Sequence, residues 1–334
     1  MREAILWKNK DGNALCHLCA HRCNIKEGER GLCGVRLNSK GTLYTLVYGK
    51  LISRAIDPIE KKPLYHFLPG TRTYSIATAG CNFFCDFCQN WQISQMTHDD
   101  GSIYGEECTP EEVAADAKSH GCESISYTYT EPTVFFEFAY DTARIAKKTG
   151  LKNIFVTNGY ETPETIEKMA EVIDAANVDL KAFSDKFYRE RCGARLAPVL
   201  KAIELMHERG IFIEVTTLVV PGENDGMDEI RQIADFIVSI SPEIPWHVSR
   251  FHPQYKQGEK AWTSSDKIFE ALETGKKSGL KHVYAGNLPA GKYEHTYCPR
   301  CNAIAIERSG FSSRSPGLSG NACANCGEIL NIIV

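Results

Sequence analysis

Residues 73–88 read TYSIATAGCNFFCDFC. The first seven form a β-rich run that ends at Gly80, and the next eight place Cys81, Cys85 and Cys88 at spacings of four and three in the loop that follows. Three thiols are one short of the set that holds a structural zinc or a four-cysteine iron–sulfur cluster. In folds built from βα units, ligands bind at the carboxyl ends of the strands, on the loops that leave them. The strand-then-cysteines order puts this loop where the chemistry of such a fold belongs.

From about Tyr74 to Tyr284 the same kind of unit repeats. Strand candidates are TYSIATA, SISYTYT, NIFVT, NVDLKAF, IFIEVTTLVV, WHVSRF and HVYAGN, and helix-periodic stretches such as TPEEVAADAKSHG and TPETIEKMAEVIDAA lie between them. Several of these open on Thr-Pro and close at Gly, which are helix start and stop signals. The pattern predicts an α/β fold, a partial (β/α)6 TIM-like barrel. Two segments flank it. Residues 1–72 are expected to be a Cys-rich segment with a β-rich extension, residues 73–289 the barrel, and residues 290–334 a small Cys-rich module.

The chain of 334 residues is 43% hydrophobic and 24% charged, a balance that supports a large buried core. Its formal net charge of -4 lacks the basic footprint of a nucleic-acid or anionic-membrane binder, so neither partner is expected. The start, MREAILWKNKDGN, lacks an apolar secretory core, and no run of about 18 uncharged apolar residues occurs. A cytoplasmic location is the expectation. In a reducing compartment 14 cysteines point to metal rather than to disulfides. Eleven fall in three groups: Cys16 to Cys33, Cys81 to Cys88 and Cys298 to Cys326; Cys108, Cys122 and Cys192 stand alone and read as small buried hydrophobes.

The CxxxCxxC loop, with aromatic Phe87 before its last cysteine, resembles the motif of the radical S-adenosylmethionine (radical SAM) superfamily. That resemblance implies three thiolates holding three irons of a [4Fe-4S] cluster, with the fourth iron open to the amino and carboxylate groups of S-adenosylmethionine. One electron then cleaves the sulfonium to methionine and a 5'-deoxyadenosyl radical. Later strand ends carry further likenesses. Thr130-Glu131-Pro132 is similar to the family's Gly-Gly-Glu-Pro loop, with Tyr129 and Thr130 at the glycine positions. Thr157-Asn158-Gly159 looks like its Thr-Asn-Gly element, with Val156 where the activating enzymes carry Asp. Asp179 and Lys181 resemble an Asp-x-Lys strand, LVVPGEND resembles a Val-Val-Pro-Gly-x-x-Asp segment with Val220 beside the adenine, and WHVSRFHP offers His252 at a strand end. The resemblance thus implies Phe87, Glu131, Thr157, Asn158, Lys181, Val220 and His252 as contacts of the cofactor. It is strongest toward the organic-radical activating enzymes, the pyruvate formate-lyase activase class.

The flanking groups have their own spacings. Cys16, Cys19, Cys23 and Cys33 read C-x2-C-x3-C-x9-C, which suits zinc or an auxiliary Fe-S cluster, possible ligands for an auxiliary [4Fe-4S]. Cys298, Cys301, Cys323 and Cys326 read C-x2-C-x21-C-x2-C, the pattern of zinc-ribbon and rubredoxin-like knuckles, which predicts one zinc or iron. With the phrase PWHVSRFHPQYK, the two flanking groups make the whole chain similar to the radical SAM member of the AmmeMemoRadiSam set, which implies Memo-type and AMMECR-type proteins as partners.

The resulting expectation is an enzyme that abstracts hydrogen from a substrate, with a small molecule slightly favoured and a glycyl-radical partner protein as the alternative. The family implies an electron donor such as flavodoxin or ferredoxin. A different class of reading is a non-catalytic metal scaffold or electron carrier that uses only the flanking sites.

Overall fold

A computed structural model describes residues 1–334. Its centre is one eight-stranded sheet of β1 (Ser53–Pro58), β2 (Arg72–Ala77), β3 (Ser124–Tyr127), β4 (Lys152–Thr157), β5 (Ala175–Asp179), β6 (Phe212–Val219), β7 (Trp246–Arg250) and β8 (Val283–Gly286). The strands lie side by side in chain order. β1 pairs antiparallel with β2, and every later pair is parallel. One helix of seven or more residues crosses between each parallel pair: α1 (Pro110–Ser119), α2 (Phe136–Lys148), α3 (Pro163–Met169), α4 (Leu196–Glu208), α5 (Met227–Ile240) and α6 (Ser265–Ser278). Right-handed crossovers that never reverse direction carry all six helices to one face and leave the other free to curl inward. β1 and β8 are the two edges, so the hydrogen-bonded ladder does not close on itself.

Local chemistry accounts for these elements. Thr109 caps α1 through a reciprocal pair with Glu112, Thr162 accepts from the Thr165 amide at the start of α3, and Ser264 accepts from the Lys267 amide at α6. Pro follows the cap in the first two, where its missing N–H costs nothing. β3 is buried on both faces, as a strand covered by helices on one side and by packed side chains on the other must be. It stops at Tyr127, three residues short of the end of the SISYTYT run, because Tyr129 takes a left-handed φ of 63°. β5 likewise ends at Asp179, so Lys181 belongs to the loop beyond it.

Side chains on neighbouring strands meet at the amino end of the inward face. Glu214 of β6 accepts from His247 Nε2 of β7 (2.6 Å) and from the backbone amides of Tyr65 (2.9 Å) and His66 (2.7 Å). His66 Nε2 lies 2.6 Å from the Tyr284 hydroxyl of β8. Arg308 reaches this floor from the C-terminal region, donating to the Tyr65 carbonyl (2.5 Å), and Ile333 pairs by backbone with His66 and Leu68. The C-terminal module therefore seats on the amino ends of the strands, opposite the loops that carry the cysteines at 81–88. It has a small core of its own around Ala305, Ile306, Leu330 and Ile332, whereas the N-terminal segment shares the main core from Ala4 through Val47.

Candidate active site

The loop after β2 is strapped to the turn after β5. Phe84 N donates to Cys192 O (2.8 Å), Asp86 N to Arg191 O (3.2 Å), and the Asp86 carboxylate pairs with Arg191 (3.2 Å). Within this frame Cys81 and Cys88 lie close enough to Cys85 to feel its charge. Burial, followed by the negative charge of Glu131 and Cys85, pushes the Cys81 thiol up; burial and Cys85 do the same to Cys88. Cys85 moves the other way because of its neighbour Cys192, with the Lys181 ammonium helping. Donors already point at sulfur: Phe83 N lies 3.4 Å and Asn158 Nδ2 3.9 Å from Cys81 Sγ, and Ser94 Oγ is 3.2 Å from Cys88 Sγ. Asn158 Nδ2 also donates to Asn82 Oδ1 (2.7 Å), leaving Asn158 Oδ1 and Asn82 Nδ2 buried without partners. Three thiols in one loop, with sulfur-directed donors and unpaired amide atoms beside them, fit a cluster with a polar ligand.

The remaining expected residues all leave carboxyl ends of successive strands. Glu131, after β3, is 3% exposed and fully engaged: Oε1 accepts from Thr133 N (3.0 Å) and sits against the Thr133 and Thr157 hydroxyls, while Oε2 accepts from Asn158 N (2.8 Å). It ties the loops after β3 and β4 into one unit. Lys181 pairs with Asp179 (2.8 Å). Val220 is 1% exposed, and its amide donates to Asn224 Oδ1 (2.6 Å), whose Nδ2 in turn donates to Lys181 O (2.6 Å). Phe87 is buried against Phe187, ring centroids 5.7 Å apart. His252, after β7, lies at the rim, 3.4 Å from Gln89 and 5.6 Å between ring centroids from Trp262. The structure thus gathers Glu131, Thr157 and Asn158 beside Cys81, sets Lys181 by Cys85, and leaves His252 at the mouth.

The Radical SAM superfamily model matches residues 75–237. The uncharacterized protein MJ0808 of Methanocaldococcus jannaschii is 45% identical over 338 residues, covering 100% of both chains. The chain belongs to the radical SAM superfamily. Among its relatives in that superfamily is the pyruvate formate-lyase 1-activating enzyme of Escherichia coli K12, 24% identical over 192 residues, which covers 54% of this chain and 76% of that one. The fold is shared with a radical SAM methyltransferase from Sphaerobacter thermophilus, at a TM-score of 0.50 and 16% identity over 66% of this chain and 67% of that one.

Four residues of this candidate site carried no signal in the sequence. Asn82 and Asn224 look like ordinary loop residues, and Cys192 reads as an isolated buried thiol until the fold sets it against Cys85. Glu161 is a single acidic residue after an Asn-Gly turn; its backbone bridges Cys19, and its carboxylate joins Glu131 through Thr133 and Thr157.

The C-terminal cysteines form a compact group. The sulfurs of Cys298, Cys301, Cys323 and Cys326 all lie within 4.8 Å of one another, with Cys298–Cys326 at 3.6 Å and Cys301–Cys323 at 3.7 Å. Thiolates about 2.3 Å from one ion mark a tetrahedron with edges of about 3.8 Å, so this group has the dimensions of a single-ion site. No helix is long and apolar enough to cross a membrane.

Proposed function

We propose that the protein is a radical SAM enzyme in which Cys81, Cys85 and Cys88 hold a [4Fe-4S] cluster and Glu131, Thr157, Asn158, Lys181, Val220 and His252 surround bound S-adenosylmethionine. The observation that carries this reading is Asn158, whose amide donates to Glu131 Oε2 and whose Nδ2 lies 3.9 Å from Cys81 Sγ, which joins the loops after β2, β3 and β4 at the carboxyl ends of the strands. When bound, the cluster supplies one electron that splits S-adenosylmethionine into methionine and a 5'-deoxyadenosyl radical, which abstracts hydrogen from the substrate. The chain's own residues do the rest. Phe83, Asn158 and Ser94 direct hydrogen bonds at the sulfurs, Lys181 places positive charge beside Cys85, and the buried loops exclude water. A flavodoxin- or ferredoxin-type protein provides the electron, and Memo-type and AMMECR-type proteins act with it.

A small-molecule substrate is the first reading. The mouth is rimmed by His252, Trp262 and the stacked rings of Trp91 and Tyr255, 5.2 Å apart, which suit a planar or apolar substrate. Activation of a glycyl-radical partner is the second, supported by likeness to the pyruvate formate-lyase activase and by a C-terminal module that seats away from the mouth. That module holds a structural zinc in this reading. The test is anaerobic reconstitution followed by dithionite and S-adenosylmethionine. Formation of 5'-deoxyadenosine is expected; a fully loaded protein that cleaves nothing overturns the enzymatic reading.

A further inference from the structure

Cys16, Cys19, Cys23 and Cys33 line a recess that also takes in Arg36, with an empty volume of about 350 Å³ counting the part open to solvent. Their arrangement differs from that of the C-terminal four. The C-terminal sulfurs crowd to single-ion spacing, whereas the N-terminal sulfurs form no group within the same 4.8 Å. Four thiolates around one zinc must close to tetrahedral edges, but four thiolates around an iron–sulfur cubane stand farther apart, because irons and sulfides lie between them. The recess also offers sulfur a donor. Arg36 is 1% exposed and paired with the buried Glu137, its Nη1 lies 3.7 Å from Cys16 Sγ, and its Nε is buried with no partner. Leu18 and Ile25 supply an apolar wall.

We propose that these four cysteines bind a closed [4Fe-4S] cluster, not a mononuclear metal. All four irons have a protein thiolate, so this cluster has no position for S-adenosylmethionine and serves as a one-electron centre. Its place is adjacent to the radical site. His21, midway between Cys19 and Cys23, places Nε2 2.7 Å from the carbonyl oxygen of Asn82, the residue after Cys81. Thr97 donates to the Cys33 carbonyl (3.1 Å), and Cys19 bridges Glu161. One hydrogen bond therefore links the N-terminal loop to the loop of the catalytic cluster.

The proposal assigns iron and sulfide to residues outside the proposed catalytic loop, so its test separates the two readings. The full chain carrying Cys81→Ala, Cys85→Ala and Cys88→Ala is reconstituted anaerobically, and iron, zinc and acid-labile sulfide are counted. About four irons and about four sulfides per chain are expected to remain, with a reducible cluster signal in electron paramagnetic resonance. Sulfide is the deciding quantity, because a single iron in the C-terminal site brings none. Adding Cys19→Ser and Cys23→Ser is expected to remove all of it. Should that variant fail to fold, Cys23→Ser alone is expected to give a three-thiolate cluster with an altered resonance signal. A sulfide-free triple variant holding a second zinc that depends on Cys19 and Cys23 overturns the proposal. Wild-type cleavage of S-adenosylmethionine is scored separately, so loss of the enzymatic reading leaves this count intact.

Discussion

Glu131 and Glu161 are joined through two threonine hydroxyls. Thr133 Oγ1 lies 2.6 Å from Glu131 Oε1 and 3.0 Å from Glu161 Oε1, and Thr157 Oγ1 lies 2.9 Å and 2.6 Å from the same two oxygens. Two hydroxyls bring donors to only two of the four contacts, so each proton that the carboxyl pair keeps supplies a donor to one more. Burial raises both carboxyls, and Glu161 adds to the rise at Glu131, which is pushed up to about 8.

The sign of the pH effect follows. In the unfolded chain both groups ionise near the ordinary carboxylate range, so between there and about pH 8 the folded protein binds more protons. Stability contributed by the pair is present at low pH and is lost as pH rises through the folded value. Glu161→Gln, which keeps an acceptor for the threonines without an ionisable proton, is expected to flatten this dependence and to stabilise the protein at pH 9 by on the order of 2 kcal/mol. Urea titrations at pH 6 and pH 9 check it; equal slopes of stability against pH in wild type and variant refute it. The ammonium of S-adenosylmethionine favours the ionised carboxylate, so its affinity is expected to rise toward pH 8.

Cys85→Ala and Cys323→Ala separate chemistry from architecture. Cys85→Ala is expected to abolish formation of 5'-deoxyadenosine while leaving the thermal midpoint nearly unchanged. Cys323→Ala opens the compact C-terminal sulfur group and is expected to make residues beyond about 296 sensitive to limited proteolysis while cluster assembly persists. Intact stability with lost turnover in Cys323→Ala contradicts a structural role for that site.

Gly159 holds the turn after β4. Its φ is +69°, and a Cβ there meets Val178 Cγ1 at 2.8 Å and Val199 Cγ1 at 3.2 Å. Gly159→Ala is expected to destabilise the fold by about 1–3 kcal/mol and to shift Asn158 away from Asn82. Chemical denaturation reads the first effect. A raised concentration requirement for S-adenosylmethionine reads the second.

Glu214→Ala strips the floor of its shared acceptor and leaves two backbone amides and His247 without a partner. A loss of roughly 3 kcal/mol is expected. Because the floor lies at the opposite end of the strands from the thiols, iron loading at low temperature is expected to match wild type; a variant that folds but cannot load iron shows that the two ends are coupled.

The strand positions were legible because parallel strands covered on both sides read as dense apolar runs bounded by helix caps, and Thr109, Thr162 and Ser264 announce their helices locally. Cys81, Cys85 and Cys88 were legible for the same reason: metal spacing lies within one loop. Strand ends were less so, since only the positive φ of Tyr129 reveals that SISYTYT breaks early. Residues 53–58 read as a strand but gave no sign that they would become an edge of the main sheet. Cys192 and Glu161 act through contacts made across the fold, with Cys85 and Glu131, and no local period marks such a pairing. The seat of the C-terminal module was also hidden. The module does not lie over the mouth, because Arg308 and Ile333 dock on Tyr65, His66 and Leu68 at the far end.

That docking has a consequence for how the molecule comes together. His66 Nδ1 bonds the carbonyl of Asn331 (2.8 Å) across 265 residues of sequence, and Ile333 pairs with both His66 and Leu68. These contacts cannot form until nearly the whole chain has left the ribosome, while each βα unit can assemble from its neighbours as it emerges. The amino end of the sheet is thus the last part to seal. A newly made chain passes through a stage in which the cysteine loops are in place above a floor that is still open.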